Sequence, residues 1–305
     1  MRFTVFTPTY NRAHTLDRLY HSLQRQTFRD FEWIVIDDGS TDGTEERFSR
    51  ILREDNFFKI TYQRVENGGK HRAINRAVSI AEGELFFIAD SDDYLTDNSL
   101  EIVDRVEKTI PDDKKSAFAG VCGLDVYISG DPVGTTYEGD EFLDITAMQR
   151  AEYGVCGDKK EVFYTDVLSR FPFPEYPGEN FVSEAVVWNR IARNGYKLRY
   201  FNTPIYVVEY QSAGISNNFD LIQRKSPRGW ALHIREDVAC GLLKGKRLKQ
   251  ARLWYYQSLR DALPMRTICA YLHISTGTML RDMLVSRLGR IWYKCFRCFK
   301  GKSNT

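Results

Sequence analysis

The sequence predicts an α/β fold, a mostly parallel sheet with helices on both faces, followed by a helical C-terminal extension. Three features predict it. Over roughly the first hundred residues, short β-rich runs alternate with amphipathic helical runs. Each β-rich run ends in a polar cluster. Beyond about residue 218 the pattern turns helical to the end. The implied organisation is one α/β domain over residues 1–217 and an extension over residues 218–305.

The elements follow a β-α-β-α-β-α-β order. Residues 2–7 are β-branched and aromatic. Residues 15–26 place Leu16, Leu19, Tyr20 and Leu23 on one helical face. Residues 31–36 form a second apolar strand, and Ser40, Thr41 and Asp42 are capping types that open a helix over 44–52. Residues 60–65 alternate like a strand. Residues 70–81 put Ala73, Ile74, Ala77 and Val78 on one side of a helix. Residues 85–89 read as a fully apolar strand and 98–106 as a helix. Further on, 120–128 reads as a strand, 129–144 as a mobile polar loop, and 171–180, with its three prolines, as a rigid loop. Residues 182–193 read as a helix, and 197–210 as two strands broken at Pro204.

Strands joined by helical crossovers lie parallel, and ligands bind such sheets beyond the carboxyl ends of the strands. Those ends read Thr7-Pro8-Thr9-Tyr10-Asn11-Arg12, Asp37-Asp38-Gly39-Ser40, Asn67-Gly68-Gly69-Lys70 and Asp90-Ser91-Asp92-Asp93. Four polar strand ends in register point to a binding site.

The 305 residues suffice for one large domain with an extension. With 43 basic and 41 acidic residues the net charge is +2, which gives no reason to expect nucleic-acid binding. Six scattered cysteines read as free thiols of a reducing compartment. Cys295 and Cys298 form a C-x-x-C without a second pair at zinc-site spacing. The N-terminus shows no signal-peptide pattern, and no run reaches the roughly 18 apolar residues of a spanning helix. The expected location is cytoplasmic, or peripheral on the cytoplasmic face of a membrane.

Three carboxylates in four residues, Asp90, Asp92 and Asp93, repel one another unless a cation lies between them. Mg²⁺ and similar hard ions commonly take one such carboxylate and the oxygens of a diphosphate. A helix N-cap, supplied by Asp93 or Asp97, explains one aspartate and not three. Asp37 and Asp38 suit either a turn or hydrogen bonds to a base or ribose hydroxyl. The glycine turn into Lys70, His71 and Arg72 is either a plain loop or a helix start that suits an anion.

Together, Thr7–Arg12, Asp37–Thr44, Asn67–Ala77 and Asp90–Asp93 resemble, in residues, order and spacing, the family 2 glycosyltransferases of the Rossmann-like GT-A fold. The resemblance is clear over residues 1–110, looser to about 215, and absent from the last third. It implies an inverting glycosyltransferase, a hexosyl- or N-acetylhexosaminyl-transferase of surface polysaccharide synthesis. The donor would be a nucleoside-diphosphate sugar, a UDP-sugar first, and the acceptor a glycan or lipid-linked hydroxyl. By position, Thr7, Pro8, Thr9, Tyr10 and Arg12 border the nucleotide. Asp37 and Asp38 contact the base. Asp90 and Ser91 face the ribose or diphosphate, and Asp92 holds Mn²⁺ or Mg²⁺. Lys70 and Arg72 stand on the donor side, and residues 212–216 resemble the loop that closes over the diphosphate. The family's catalytic base often belongs to a Glu-Asp pair at a downstream helix start. This chain has no such pair there, leaving Glu184 as first choice and Glu179 as the alternative. Trp188 and Tyr210 read as core rather than sugar contacts.

From residue 281 to 302 there are seven basic residues and one acid. Apolar Leu284, Leu288, Ile291, Trp292, Cys295 and Phe299 fall at helical spacing beside Arg287, Arg290, Lys294 and Arg297. Residues 280–299 thus read as an amphipathic helix for an anionic membrane surface, or for packing on protein. Two other functions compete with the leading one: a polyprenyl-phosphate sugar synthase, whose ionised acceptor needs no base, and an inactive nucleotide-binding scaffold.

Overall fold

The alternation of β-branched runs and amphipathic helices builds a layered sheet. The computed structural model describes residues 1–209 and 219–286. Strands β1 (Phe3–Thr9), β2 (Phe31–Asp37), β3 (Lys59–Arg64) and β4 (Leu85–Ile88) are linked by helices α1 (Leu16–Gln24), α2 (Thr44–Ile51) and α3 (Lys70–Ile80). They lie in the order β3-β2-β1-β4 and all pair in parallel. Every residue of β1, β2 and β4 is buried, as expected where helices cover both faces. Alternate residues face opposite layers. Phe3, Val5, Trp33, Val35 and Phe87 pack with α1 and α2. Phe6, Ile34, Ile36, Phe86 and Ile88 pack with α3. Burying each such side chain stabilises the fold by about 1.5–3 kcal/mol, so this sheet fixes where the strand-end loops stand. The buried Trp33 indole N–H donates to Thr7 Oγ1 at 2.9 Å.

The second half contributes β5 (Tyr94–Leu95), α4 (Ser99–Glu107), β6 (Phe118–Tyr127), β7 (Leu143–Ile145), β8 (Lys159–Tyr164), α5 (Thr165–Ser169), α6 (Ala185–Arg193) and β9 (Lys197–Val208). Beyond β4 the sheet continues β8-β6-β9-β5, and β7 also pairs with β9. β8 runs antiparallel to both β4 and β6, β6 and β9 pair in parallel, and β5 and β7 run antiparallel to β9, so the sheet is mixed beyond β4. The sequence patterning does not reveal β8. Nor does the expected break at Pro204 occur: β9 is one strand. Its pairing with β6 jumps from Cys122↔Tyr200 to Leu124↔Pro204, so the proline, which has no N–H to give the ladder, sits at an irregularity. The polar stretch 129–144 stays largely loop, with β7 beginning at Leu143.

Helices α7 (Phe219–Lys225), α8 (Pro227–Ala239), α9 (Gly245–Leu259), α10 (Met265–Tyr271) and a helix over 276–286 follow. All but α7 share a small core of Trp230, Tyr255, Leu259, Ile268 and Met279. Leu232 of α8 joins instead the core that contains Val186 and Val187 of α6. The described cysteines, Cys122, Cys156, Cys240 and Cys269, are free. Cys295, Cys298, the expected boundary at 217 and the tail beyond 286 lie outside the described residues. Among the described residues no helix is long and apolar enough to cross a membrane.

Candidate active site

Because β1, β2 and β4 are parallel neighbours, their carboxyl ends bring three loops together. The Asp38 N–H donates to Thr9 O at 2.8 Å. Asn11, at φ 53°, sends its N–H to Ser40 Oγ at 2.9 Å and accepts the Thr41 N–H on Oδ1 at 2.7 Å. Asp37 is fully buried; its carboxylate accepts from Ser40 N at 2.8 Å and from the Tyr62 hydroxyl at 2.6 Å. Asp38 accepts the Gly68 and Gly69 N–H groups at 2.7 and 2.8 Å, which ties β2 to the glycine turn. Burial pushes its carboxyl up while those two N–H groups oppose the shift. Both aspartates are therefore loop clamps in this structure. Thr7 and Pro8 are buried in β1, Thr9 is almost fully buried, Tyr10 is exposed, and Arg12 stands at the loop's end.

The three aspartates of the acidic run have different partners. Asp90 meets the Lys70 ammonium at 2.6 Å, and its N–H donates to the Tyr206 hydroxyl at 2.7 Å. Burial would raise the Asp90 carboxyl, but Lys70 and Lys160 outweigh it and hold its pKa below the ordinary value. Asp92 lies 3.7 Å from Arg12 Nε, and burial and then Asp90 push its carboxyl up. Asp93 accepts the Glu209 N–H at 2.8 Å, and burial and Asp90 push it up to about 7. Asp93 does not cap the following helix, since β5 intervenes and Asn98 is the N-cap of α4. Asp97 pairs with Arg25 instead. Ser91 is buried within the run.

The two glutamates differ sharply. Glu179 is 4% exposed, and its carboxylate accepts N–H bonds from Arg228 N, Arg228 Nε and Gly229 N at 3.0, 2.8 and 2.9 Å. It caps the first turn of α8, whose orphan N–H groups need acceptors. Glu184, 38% exposed, occupies the N-cap position of α6 without a side-chain capping bond and lies 3.2 Å from Lys70 Nζ. Burial works against the Lys70 ammonium, but Asp90 and Glu184 outweigh it and raise its pKa above the ordinary value. Arg72 is occupied by carbonyls: it donates to Gly68 O, to Glu179 O at 2.8 Å and to Tyr176 O at 2.8 Å.

Sequence reasoning missed Tyr206, Lys160 and Arg18. Lys160 Nζ stands 3.5 Å over the Tyr206 ring and bonds Ile88 O at 3.3 Å. Arg18 donates to Asp92 O at 2.7 Å. Trp188 packs on Phe163, ring centroids 4.4 Å apart, as a core residue. Tyr210 and the loop 212–216 lie outside the described residues.

Residues 4–112 match the sequence profile of glycosyl transferase family 2, and so span β1 to α4 and every strand-end cluster above. They are a family 2 glycosyl transferase domain. Relatives of this domain include glycosyltransferase GlyG of Streptococcus pneumoniae, 35% identical over 98 residues, covering 32% of this chain and 32% of the relative. The poly(ribitol-phosphate) beta-N-acetylglucosaminyltransferase TarS of Staphylococcus aureus is 36% identical over 103 residues, 33% of this chain and 18% of TarS. Abequosyltransferase RfbV of Salmonella typhimurium is 40% identical over 99 residues, 32% and 29% of the two chains. The chain thus spans about a third or less of the length of these relatives. Among solved structures, S. aureus TarS 1-349 with UDP-GlcNAc superposes at TM-score 0.58 and 19% identity, over 95% of this chain and 92% of that one. The mannosyltransferase PcManGT of Pyrobaculum calidifontis with GDP-Man and Mn²⁺ superposes at TM-score 0.51 and 20% identity, over 98% and 82%. The central sheet and its flanking helices, among the described residues, have the GT-A arrangement of these glycosyltransferases, and the C-terminal helices follow it.

Proposed function

We propose that the chain is an inverting glycosyltransferase that moves a sugar from a nucleoside-diphosphate sugar, a UDP-sugar first, to a hydroxyl of a glycan or lipid-linked acceptor in surface polysaccharide synthesis. The observation that carries this reading is the Lys70 ammonium held between Asp90 and Glu184, which brings a carboxylate from a downstream helix start to the acidic run of the family 2 domain. Relatives with teichuronic acid and undecaprenol-linked glycan names support the acceptor class.

In this reading Thr9, Tyr10, Arg12, Asp37 and Asp38 border the nucleotide, with Thr7 and Pro8 shaping the loop from within the strand. Asp90, Ser91, Lys70 and Arg72 line the diphosphate side. Asp92 suits a divalent ion: its carboxylate is half-buried beside Asp90, whose repulsion a cation relieves. One protein carboxylate completed by diphosphate oxygens is a common mode for Mg²⁺, and Mn²⁺ accepts the same oxygen donors. Asp92 would hold such an ion, whose charge would offset that of the leaving diphosphate. Glu184 takes the proton of the acceptor hydroxyl as its oxygen bonds the anomeric carbon and the bond to the diphosphate breaks. Glu179, fully engaged at α8, is set aside as base.

The test is a screen of nucleotide sugars for thermal stabilisation with and without Mn²⁺, followed by Mn²⁺-dependent release of nucleoside diphosphate. No stabilisation by any donor and no release overturns the reading and leaves an inactive scaffold. Turnover that survives loss of both Glu184 and Glu179 favours the polyprenyl-phosphate chemistry, which needs no base.

Peripheral attachment to the cytoplasmic face of a membrane extends this reading. The helix over 276–286 leaves Leu280 and Leu284, one turn apart, 49% and 60% exposed, and the sequence continues with Arg287, Arg290, Lys294 and Arg297. An apolar stripe beside basic residues suits anionic lipid. A chain ending at Gly277 is expected to lose pelleting with phosphatidylserine vesicles; equal pelleting contradicts the anchor.

A further inference from the structure

We propose that Lys70 is a positioning residue for Glu184, holding its carboxylate toward Asp90 rather than serving the donor diphosphate alone. The inference rests on the glycosyltransferase reading above and concerns how its base is held.

Three observations point to it. Glu184 sits at the N-cap of α6 with no side-chain bond to the first turn of its helix, so its carboxylate is not engaged there. Its carboxylate instead meets Lys70 Nζ at 3.2 Å, while the same ammonium holds Asp90 at 2.6 Å. An ammonium has three donors and no acceptor, so Lys70 satisfies both carboxylates at once.

The backbone around the pair is built to keep it. Gly69, at φ 94°, opens α3, and a Cβ there would stand 1.9 Å from Asn180 O. Asn180 Nδ2 donates to Asn67 Oδ1 at 2.7 Å, and Arg72 bonds the carbonyls of Tyr176 and Glu179 at 2.8 Å. The first turn of α3 is thereby locked to the stretch leading into α6. Lys70 and Glu184 are carried by two segments that these bonds join. Lys70 is also largely buried, so its pull on Glu184 is screened less than that of a surface pair. Without Lys70 the Glu184 side chain is free to turn onto its own helix, away from an acceptor.

The experiment is a double-mutant cycle on the full chain. The probe is UDP-GlcNAc, or another nucleotide sugar selected by the thermal screen, with Mn²⁺ and water as acceptor. The variants are Lys70→Met, Glu184→Gln, the double variant and Lys70→Arg, each checked by melting. If Lys70 acts through Glu184, Lys70→Met lowers kcat by roughly 10²-fold or more, the scale of lost general-base catalysis, with donor KM changed only a few-fold. The double variant is then no worse than Glu184→Gln alone, because the two changes remove one effect, and Lys70→Arg recovers part of the rate. Losses that multiply in the double variant overturn the proposal, as does Lys70→Met raising KM with kcat retained. A wild-type chain that hydrolyses no donor overturns the parent reading and this one with it. Multiplying losses in an active enzyme overturn this one alone.

Discussion

Arg228 holds the Glu179 carboxylate twice, through its backbone N–H at 3.0 Å and its Nε at 2.8 Å. The contact makes Glu179 part of the start of α8, although it lies in the loop before α6. It also separates two glutamates that look alike in the sequence.

Glu179→Gln is therefore expected to affect stability rather than chemistry. Hydrogen bonds to a charged acceptor contribute roughly 1.5–3 kcal/mol, so the variant should melt a few degrees lower while kcat for donor hydrolysis holds. A large fall in kcat at an unchanged melting temperature would reverse the roles of Glu179 and Glu184.

Gly69→Ala should be among the more damaging changes in the glycine turn. The φ of 94° alone costs about 1–3 kcal/mol for a residue with a side chain, and the added Cβ meets the Asn180 carbonyl. Chemical denaturation should show the loss, and donor stabilisation should weaken with it because α3 must shift. Gly130→Ala, where nothing stands within 4 Å, is the matched control for the positive φ.

Asp125 predicts a pH dependence. It is buried in β6 with Oδ1 lacking a hydrogen-bond partner, and burial pushes its carboxyl from 3.8 to about 6 against the opposing pull of Lys160. An acid whose folded pKa is raised binds more protons folded than unfolded, so its contribution falls as pH rises from about 4 to 6. Asp125→Asn should flatten that part of the stability curve and raise stability at neutral pH relative to wild type. Melting curves across pH 4 to 8 check it (the window follows the linkage relation, roughly). An unchanged slope between about pH 4 and 6 counts against a raised Asp125.

The parallel half of the sheet was legible because buried apolar strands and amphipathic helices carry strong periodicity. Its polar ends were legible because strand-end loops hold the ligand in such sheets. β8 was hidden by the run Lys159-Lys160-Glu161, which reads as solvated. In the fold Lys159 is buried, and its ammonium is satisfied by the carbonyls of Val133, Cys156 and Asp158 at 2.7, 2.7 and 3.1 Å. With β8 unseen, Lys160 and its place over Tyr206 were unseen too. The two glutamates could not be told apart by order alone, since Glu179 is claimed by a helix that begins far downstream. The clamping bonds of Asp37 and Asp38 escaped for a similar reason: their partners, Tyr62 and Gly69, lie across the sheet ends.

The central claim, that Glu184 is the base of a nucleotide-sugar site at the acidic run, is tested most directly by Mn²⁺-dependent donor hydrolysis in wild type and Glu184→Gln. The account predicts a fall in kcat of roughly 10²–10⁴-fold, with thermal stabilisation by donor and Mn²⁺ unchanged. Wild-type turnover in Glu184→Gln would contradict it.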